Sequence, residues 1–157
     1  MCYPAYLCDP TSLIVGLRVM VVDGHEESLY LTASVLEGLD AEVLAVNSAQ
    51  KALRKLPIFQ PKILISELRL PDEDGYWLLG KVKAFADCHN LQIPAIALTT
   101  QASLAAEARA LSVGFCRHIA KPYDFETLIE TVAQLVETVA QFSEANPQKY
   151  GHCQDCA

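Results

Sequence analysis

Five short apolar runs, each followed by a segment with helical spacing, constrain the fold of this chain more than any other feature. The runs cover residues 17–22, 41–46, 62–66, 94–98 and 115–120. Most are continuous rather than alternating in polarity, which is typical of strands that are covered on both faces. The order βαβαβαβαβα therefore predicts a doubly wound α/β domain, in which a parallel sheet carries helices on both sides, joined by right-handed crossovers.

The length and the ends of these segments predict one domain. The 157 residues, 52% of them hydrophobic, suit a single domain with a substantial core. We expect helices to begin after Ser48 and near Asp124 and to end at Gly38 and Gly114. The predicted domain covers residues 17–142, preceded by an N-terminal extension (1–16) and followed by a Cys-containing C-terminal tail (143–157).

Hydropathy and charge exclude several classes of function. No apolar run approaches the roughly 18 residues that a membrane span needs, and the first residues lack the basic start of a signal peptide. We therefore expect a cytoplasmic protein with no membrane contact. The net charge is -7 and only 12 Lys and Arg residues are scattered along the chain, which argues against nucleic-acid binding. A protein partner is the better expectation.

Six cysteines in a cytoplasmic chain do not by themselves predict disulfides. Cys88, near a helix end, and Cys116, in an apolar strand, are predicted to be packing residues. The other four, outside the periodic region, are Cys2, Cys8, Cys153 and Cys156. The two-residue gap between the last two occurs in metal and redox sites, but no second matching pair completes a ligand set unless the N-terminal cysteines join it. A metal or redox role and a reactive tail both stay open.

Polar side chains stand where four of the predicted strands end. Asp23 follows the first strand, Glu67 the third, Thr99 and Thr100 the fourth, and Lys121 the fifth. In open parallel sheets, ligands bind outside the carboxyl ends of the strands. An acid pair, hydroxyl groups and one cation are therefore expected to converge at one edge of the sheet.

With these residues in place, the sequence resembles the receiver domain of two-component response regulators over about residues 17–140. The matching segments are Val-Met-Val-Val-Asp (19–23), Leu-Pro-Asp-Glu-Asp-Gly (70–75), Pro-Ala-Ile-Ala-Leu-Thr (94–99) and Ile-Ala-Lys-Pro (119–122). The resemblance implies a flavodoxin-like five-stranded sheet with strand order 2-1-3-4-5 and five helices. It also implies that Thr99 is a switch hydroxyl, that Lys121 is the family's lysine, and that a cis bond precedes Pro122.

The chain departs from the family pattern at three positions. Gly24 stands where receivers usually have a second acid that coordinates Mg²⁺, Glu67 replaces the phosphate-accepting Asp, and His118 replaces an aromatic switch residue. Mg²⁺ demands near-octahedral geometry, and the extra methylene of Glu67 displaces its carboxylate by about 1 Å, which can lower a rate about 10²-fold. We expect negligible phosphorylation and weakened Mg²⁺ binding, at most a low-affinity site at Asp23 and Glu67 with His25 or Glu26 nearby.

Two interpretations are open for each of three side chains near the site, those of Glu67, His118 and Arg69. Glu67 could reach Lys121 and act as a partial mimic of the phosphorylated state, or it could pair with Lys121 without any signalling consequence. His118 could be a pH-sensitive switch or simply a packing residue. Arg69, two residues beyond Glu67, could pair with an acid of the site or lie in solvent.

The leading hypothesis is a stand-alone, degenerate receiver domain, a pseudo-receiver, that acts as a protein-interaction module in two-component (phosphorelay) signal transduction. It is not predicted to be an enzyme. Its expected partners are a sensor histidine kinase, a phosphotransfer protein or a downstream regulator. Ile129 and Val136 widen the apolar face of the last helix, which would suit a homodimer through the strand 4 to helix 5 face.

The alternative hypothesis is a small doubly wound ligand-binding protein or enzyme that uses Asp23, Glu67 and Lys121 at the sheet switch point. Against it, the sequence has no glycine-rich phosphate loop and no visible pairing of a nucleophile with a base.

Overall fold

All five apolar runs form strands, and these pair in parallel in the order β2-β1-β3-β4-β5. The computed structural model describes residues 9–100 and 103–145, with side chains as far as residue 141. The strands are β1 (Arg18–Val22), β2 (Glu42–Val46), β3 (Ile63–Glu67), β4 (Ala95–Thr99) and β5 (Arg117–Ala120). The helices are α1 (Glu26–Glu37), α2 (Ala49–Phe59), α3 (Gly75–Cys88), α4 (Leu104–Val113) and α5 (Phe125–Ala145). The predicted fold class and strand order are confirmed.

Two hydrophobic cores lie on opposite faces of the sheet, which explains why the central strands contain continuous apolar runs. Val19, Val21 and Ile65 point to the face covered by α1 and α5. Met20 and Leu64, their neighbours along the strands, point to the face covered by α2, α3 and α4. Because every residue of β3 and β4 is buried, alternation between polar and apolar residues would place polar groups inside one of the cores.

The predicted helix boundaries agree with the capping contacts. Ser48 Oγ accepts a hydrogen bond from Lys51 N at the start of α2, and Asp124 Oδ1 accepts one from Thr127 N at the start of α5. Gly38 and Gly114 follow the last residues of α1 and α4. Gly114 has a φ of 125°, a conformation that side chains with a Cβ rarely adopt.

The folded part of the chain extends beyond both predicted boundaries. Pro10–Leu13 forms a 3-10 turn that packs against α5, and Ile14 is fully buried in the same core as Leu128 and Val132. Helix α5 continues to Ala145. Ile14 therefore contributes to the core that buries the apolar face of this 21-residue helix.

Of the two described cysteines, Cys116 packs against the core on the α1 and α5 face of the sheet. Cys88 ends α3 and Cys116 immediately precedes β5, rather than lying within it, and both are half-buried free thiols. Cys2, Cys8, Cys153 and Cys156 lie outside the described residues. Within the described ranges, none of the helices combines the length and hydropathy required to cross a bilayer.

Candidate functional site

The carboxyl edge of the sheet brings together four of the five polar residues expected there, and the fifth, Thr100, is exposed. Glu67 and Thr99 end β3 and β4, while Asp23 and Lys121 directly follow β1 and β5. Asp23 and Glu67 expose only 0% and 3% of their surface, so both carboxylates are withdrawn from solvent. Buried carboxylates of this kind need either an opposite charge or several hydrogen-bond donors.

Lys121 supplies the opposite charge to both carboxylates. Its Nζ donates a hydrogen bond to Asp23 Oδ2 at 2.6 Å and lies 2.9 Å from Glu67 Oε2. The second contact is an ion pair rather than an aligned hydrogen bond, since Oε2 accepts no hydrogen bond among the described residues. Glu67 therefore reaches the lysine directly.

The two carboxylates raise the pKa of Lys121. Partial burial acts in the opposite direction and favours the neutral amine, but the contacts to Asp23 and Glu67 outweigh it and move the pKa above its ordinary value of 10.5. A pKa raised by folding stabilises the protein fully below the ordinary value, and this contribution is lost as the pH rises through the raised value. The lysine is thus charged at any physiological pH and holds the acid pair in place.

The remaining carboxylate oxygens are engaged by the backbone. Asp23 Oδ1 accepts a hydrogen bond from His25 N at 2.9 Å. Glu67 Oε1 accepts one from Leu68 N at 2.9 Å and a longer one of 3.4 Å from Arg69 N, so this side chain folds back against its own loop. Three of the four oxygens of the acid pair therefore accept hydrogen bonds from the chain itself, and the fourth, Glu67 Oε2, is held only by its ion pair with Lys121. The side chain of Arg69 is exposed.

This donor set does not fit the Mg²⁺ ion of the receiver family. Gly24 supplies no carboxylate, and the lysine ammonium already lies between the two acids that could supply one. In the residues that the structure describes, no group of three or more His, Cys, Asp or Glu side chains is arranged to hold a metal ion. A divalent ion would have to displace Lys121 before it could bind both acids. Low-affinity Mg²⁺ binding at Asp23 and Glu67 stays a prediction.

The turn after β3 is built around close backbone contacts. A Cβ at Gly75 would lie 2.6 Å from Glu67 O, so only glycine fits there. Asp74 begins α3 by accepting a hydrogen bond from Trp77 N at 2.7 Å. Pro71 packs over Gly24, where a Cβ would lie 3.1 Å from Pro71 Cδ. These contacts give Pro71, Asp74 and Gly75 structural roles in the turn. The acids of the segment 70–75 therefore need no role in phosphorylation to account for their presence.

Asp72 connects this turn to helix α2. Its two carboxylate oxygens accept hydrogen bonds from Ala49 N at 3.0 Å and from Gln50 N at 2.8 Å, the first amides of the helix. Desolvation raises the pKa of Asp72, but the backbone donors, Gln50 foremost, outweigh it and leave the pKa below the ordinary 3.8. A pKa lowered by folding contributes stability above the ordinary value, which is lost as the pH falls through the lowered value.

Asp72→Ala is expected to lower the free energy of unfolding by about 1 kcal/mol at pH 7, the usual effect of removing a helix cap. The difference from the wild type should shrink below about pH 4, where the carboxylate is protonated in the unfolded chain. Urea unfolding at pH 7 and pH 3 measures both effects. Glu73→Ala, a neighbouring exposed acid, is the matched control, and an equal loss in that variant would contradict the capping role.

The other predicted site residues lie nearby. Thr99 is buried, and its carbonyl accepts a hydrogen bond from Lys121 N at 2.7 Å. The bond between Lys121 and Pro122 is cis, as predicted. His118 is half-buried, and its Nε2 has no hydrogen-bond partner among the described residues. The switch roles of Thr99 and His118 stay predictions.

Sequence reasoning missed the contact that anchors the loop carrying Lys121. The hydroxyl groups of Thr32, buried in α1, and Tyr123, two residues after the lysine, are hydrogen-bonded to each other. The two residues are 91 positions apart, and no local pattern predicts such a pairing. A cavity of about 590 Å³ was also unexpected; Leu17, Pro61 and Val139 are among its lining residues, at the opposite edge of the sheet from Lys121.

Comparison with known proteins gives the family of the chain. Residues 19–133, well over half of the sequence, match the family model of the response regulator receiver domain. The match includes the acid after β1, the turn after β3 and the first half of α5. The chain therefore belongs to the response regulator receiver domain family, whose members are modules of two-component signalling rather than typical enzymes.

Individual relatives agree with this assignment. The chain is 33% identical over 132 residues to hybrid signal transduction histidine kinase D of Dictyostelium discoideum, covering 80% of this chain and only 8% of that kinase. It is 35% identical over 121 residues to an uncharacterized 14.6 kDa protein in the sodA1 3′ region of Leptolyngbya boryana, covering 77% of this chain and 91% of that protein. The chain thus spans a small part of the length of the first relative and nearly the whole length of the second.

A solved structure shows the same fold. The crystal structure of a response regulator receiver domain protein (CheY-like) from Methanospirillum hungatei superimposes with a TM-score of 0.72 at 25% identity, covering 80% of this chain and 98% of that one. The agreement extends to the five parallel strands and their order.

Proposed function

We propose that this receiver domain works in a two-component pathway by binding a protein partner, without forming an acyl phosphate at Glu67. The observation that carries the proposal is the position of Lys121 Nζ, 2.6 Å from Asp23 Oδ2 and 2.9 Å from Glu67 Oε2. The lysine contact that would otherwise be made by a phosphoryl oxygen is already made by a side chain of the chain itself.

The electrostatics of the site support this proposal. Phosphoryl transfer to a carboxylate needs an accessible oxygen and a cation to neutralise the incoming charge. Here both oxygens of Glu67 have partners, and the lysine is shared between two acids. Glu67 brings one negative charge to Lys121, against about -1.5 to -2 for a phosphoryl group, so it reproduces the phosphorylated state only in part.

The expected partner is a sensor histidine kinase, a phosphotransfer protein or a downstream regulator in the cytoplasm. A hybrid histidine kinase is among the relatives, which supports a kinase-linked pathway. We also propose a homodimer through the strand 4 to helix 5 face. Ile129 and Val136 pack partly against the protein's own core. The large exposed apolar residues of α4 and α5 are instead Leu104, Leu111, Val113 and Phe125.

The proposal is tested with beryllofluoride, a tetrahedral analogue of the phosphoryl group, in the presence of Mg²⁺. A ligand that binds the native state at 100 times its dissociation constant stabilises it by about 2.7 kcal/mol, which would raise the Tm of a domain of this size by several degrees. For the wild-type chain we expect a change in Tm below about 1 °C. A reproducible rise of several degrees that requires both Mg²⁺ and beryllofluoride would contradict the proposal.

A further inference from the structure

The outward face of helix α2 carries three cations and one apolar side chain in a single row. The four residues, which we call the α2 stripe, are Lys51, Arg54, Lys55 and Ile58. They are spaced at i, i+3, i+4 and i+7, so they lie on the same side of the helix, and all four are exposed. The side chain of Ile58 is 82% exposed, although it is large and β-branched.

Among the described residues, no carboxylate forms an ion pair with the cations of the α2 stripe. Helix α2 contains no acidic residue, in a chain whose net charge is -7. Across the described ranges, the salt bridges are the two of Lys121, so no carboxylate lies within 4.0 Å of the stripe cations. The Nζ of Lys51 donates a hydrogen bond to Asn47 Oδ1 at 2.8 Å, a neutral acceptor. Glu26 and Glu37 line the same depression as Lys51, so the exposed positive charge of the stripe is concentrated at Arg54 and Lys55.

The α2 stripe borders a depression with an apolar floor. A cavity of about 310 Å³ is lined by the stripe and by Val46, the last residue of the edge strand β2. On the other side of β2, a second depression of about 470 Å³ shares Val46 and Lys51 and includes Tyr30 of α1, which is 72% exposed. The open edge of the sheet is thus flanked by two concave surfaces with exposed apolar side chains, a combination typical of interaction sites.

We propose that the α2 stripe binds an acidic segment of a partner protein. Carboxylates of that segment would meet Lys51, Arg54 and Lys55, and one apolar side chain would lie in the depression against Ile58 and Val46. Opposite charges would accelerate the encounter and select the partner, while burial of the apolar side chain would prolong the complex. The inference rests on the proposed function as a binding module and assigns that module a surface distinct from the acid pair.

A second copy of this chain is a poorer occupant of the surface. Antiparallel pairing of two β2 edges about a two-fold axis would leave each α2 on the same face of the joined sheet, side by side. Each helix would then bring three cations towards its copy, and like charges placed opposite each other are destabilising. Nucleic acid is also a poorer occupant, because the net charge of the whole chain is -7.

The test uses the full chain and a fluorescein-labelled peptide of Glu and Leu residues in amphipathic spacing, with binding followed by fluorescence anisotropy. We expect saturable binding that weakens as salt is added. Arg54→Glu with Lys55→Glu should weaken it about tenfold or more, because two attractions become repulsions. Ile58→Ser should weaken it severalfold with no change in thermal stability, since Ile58 is exposed.

The matched control is Lys62→Glu with Lys81→Glu, two exposed cations outside the stripe whose reversal changes the net charge equally. The control should weaken binding by less than about threefold, because exposed charges that do not contact the peptide are screened by salt. An equal loss in the control, no binding of the peptide at any salt concentration, or tighter binding of duplex DNA or of phosphatidylserine vesicles would each overturn the inference. None of these results changes the expected response to beryllofluoride, so failure of this inference is distinguishable from failure of the proposed function.

Discussion

Lys121→Met is expected to lower the free energy of unfolding by about 3 to 5 kcal/mol, the usual effect of removing one partner from a buried charge network. The substitution leaves Asp23 and Glu67 facing each other, both almost fully buried, with no cation between them. Urea unfolding at pH 8, followed by circular dichroism, measures the loss. Since the pKa of Lys121 is raised above 10.5, the difference from the wild type should narrow only at higher pH.

The control for this prediction removes the whole charge network. Lys121→Met combined with Asp23→Asn and Glu67→Gln leaves no buried charge at the site, and it should recover most of the stability lost in the single variant. A loss below about 1 kcal/mol in the single variant would mean that water solvates the acids, as at an exposed salt bridge. That result would contradict the burial and pairing on which the description of the site depends.

Gly24→Asp combined with Glu67→Asp is expected to convert the domain into one that accepts a phosphoryl group from acetyl phosphate in the presence of Mg²⁺. The first change adds a carboxylate beside Asp23, and the second shortens the side chain at position 67 by one methylene. Correcting a displacement of about 1 Å is worth about 10²-fold in rate, before the gain from the metal ligand is added. Intact-mass spectrometry should show an added mass of about 80 Da, that of one phosphoryl group.

The control for the double Asp variant needs a side chain of matched size at position 24, because this position lies against Pro71. A Cβ at position 24 would lie 3.1 Å from Pro71 Cδ, so any side chain there requires a small shift of the turn. Gly24→Asn with Glu67→Asp imposes the same shift without adding a carboxylate. We expect this variant to remain unmodified, and phosphorylation equal to that of the double Asp variant would show that the acid at position 24 is not the missing component.

The fold could be predicted from the sequence because the hydropathy pattern of the central strands agrees with their burial on both faces. Residues 63–65 of β3 and 95–98 of β4 are continuously apolar, since both faces of these strands are covered. Ser48 and Asp124 cap α2 and α5, the helices that follow them. The approach of Glu67 to Lys121 was predictable for a related reason, because the carboxyl ends of parallel strands meet at one edge.

Several features of the site depend on long-range contacts that no local pattern contains. Asp72 binds the first amides of α2, 22 and 23 residues earlier in the chain, and Tyr123 pairs with Thr32 across 91 positions. The hydrogen bond from Leu68 N to Glu67 Oε1 depends on the rotamer of Glu67, and the surrounding packing determines that rotamer. Ile14 looked like part of a terminal extension because its partners are on α5, more than 100 residues away.

The central claim is that this receiver domain does not form an acyl phosphate, and intact-mass spectrometry of the wild-type chain after incubation with acetyl phosphate and Mg²⁺ tests it most directly. The spectrum should show only the unmodified chain, under conditions in which the Gly24→Asp and Glu67→Asp double variant gains about 80 Da. A species about 80 Da heavier in the wild type, with the added mass located at Glu67 by fragmentation, would contradict the account.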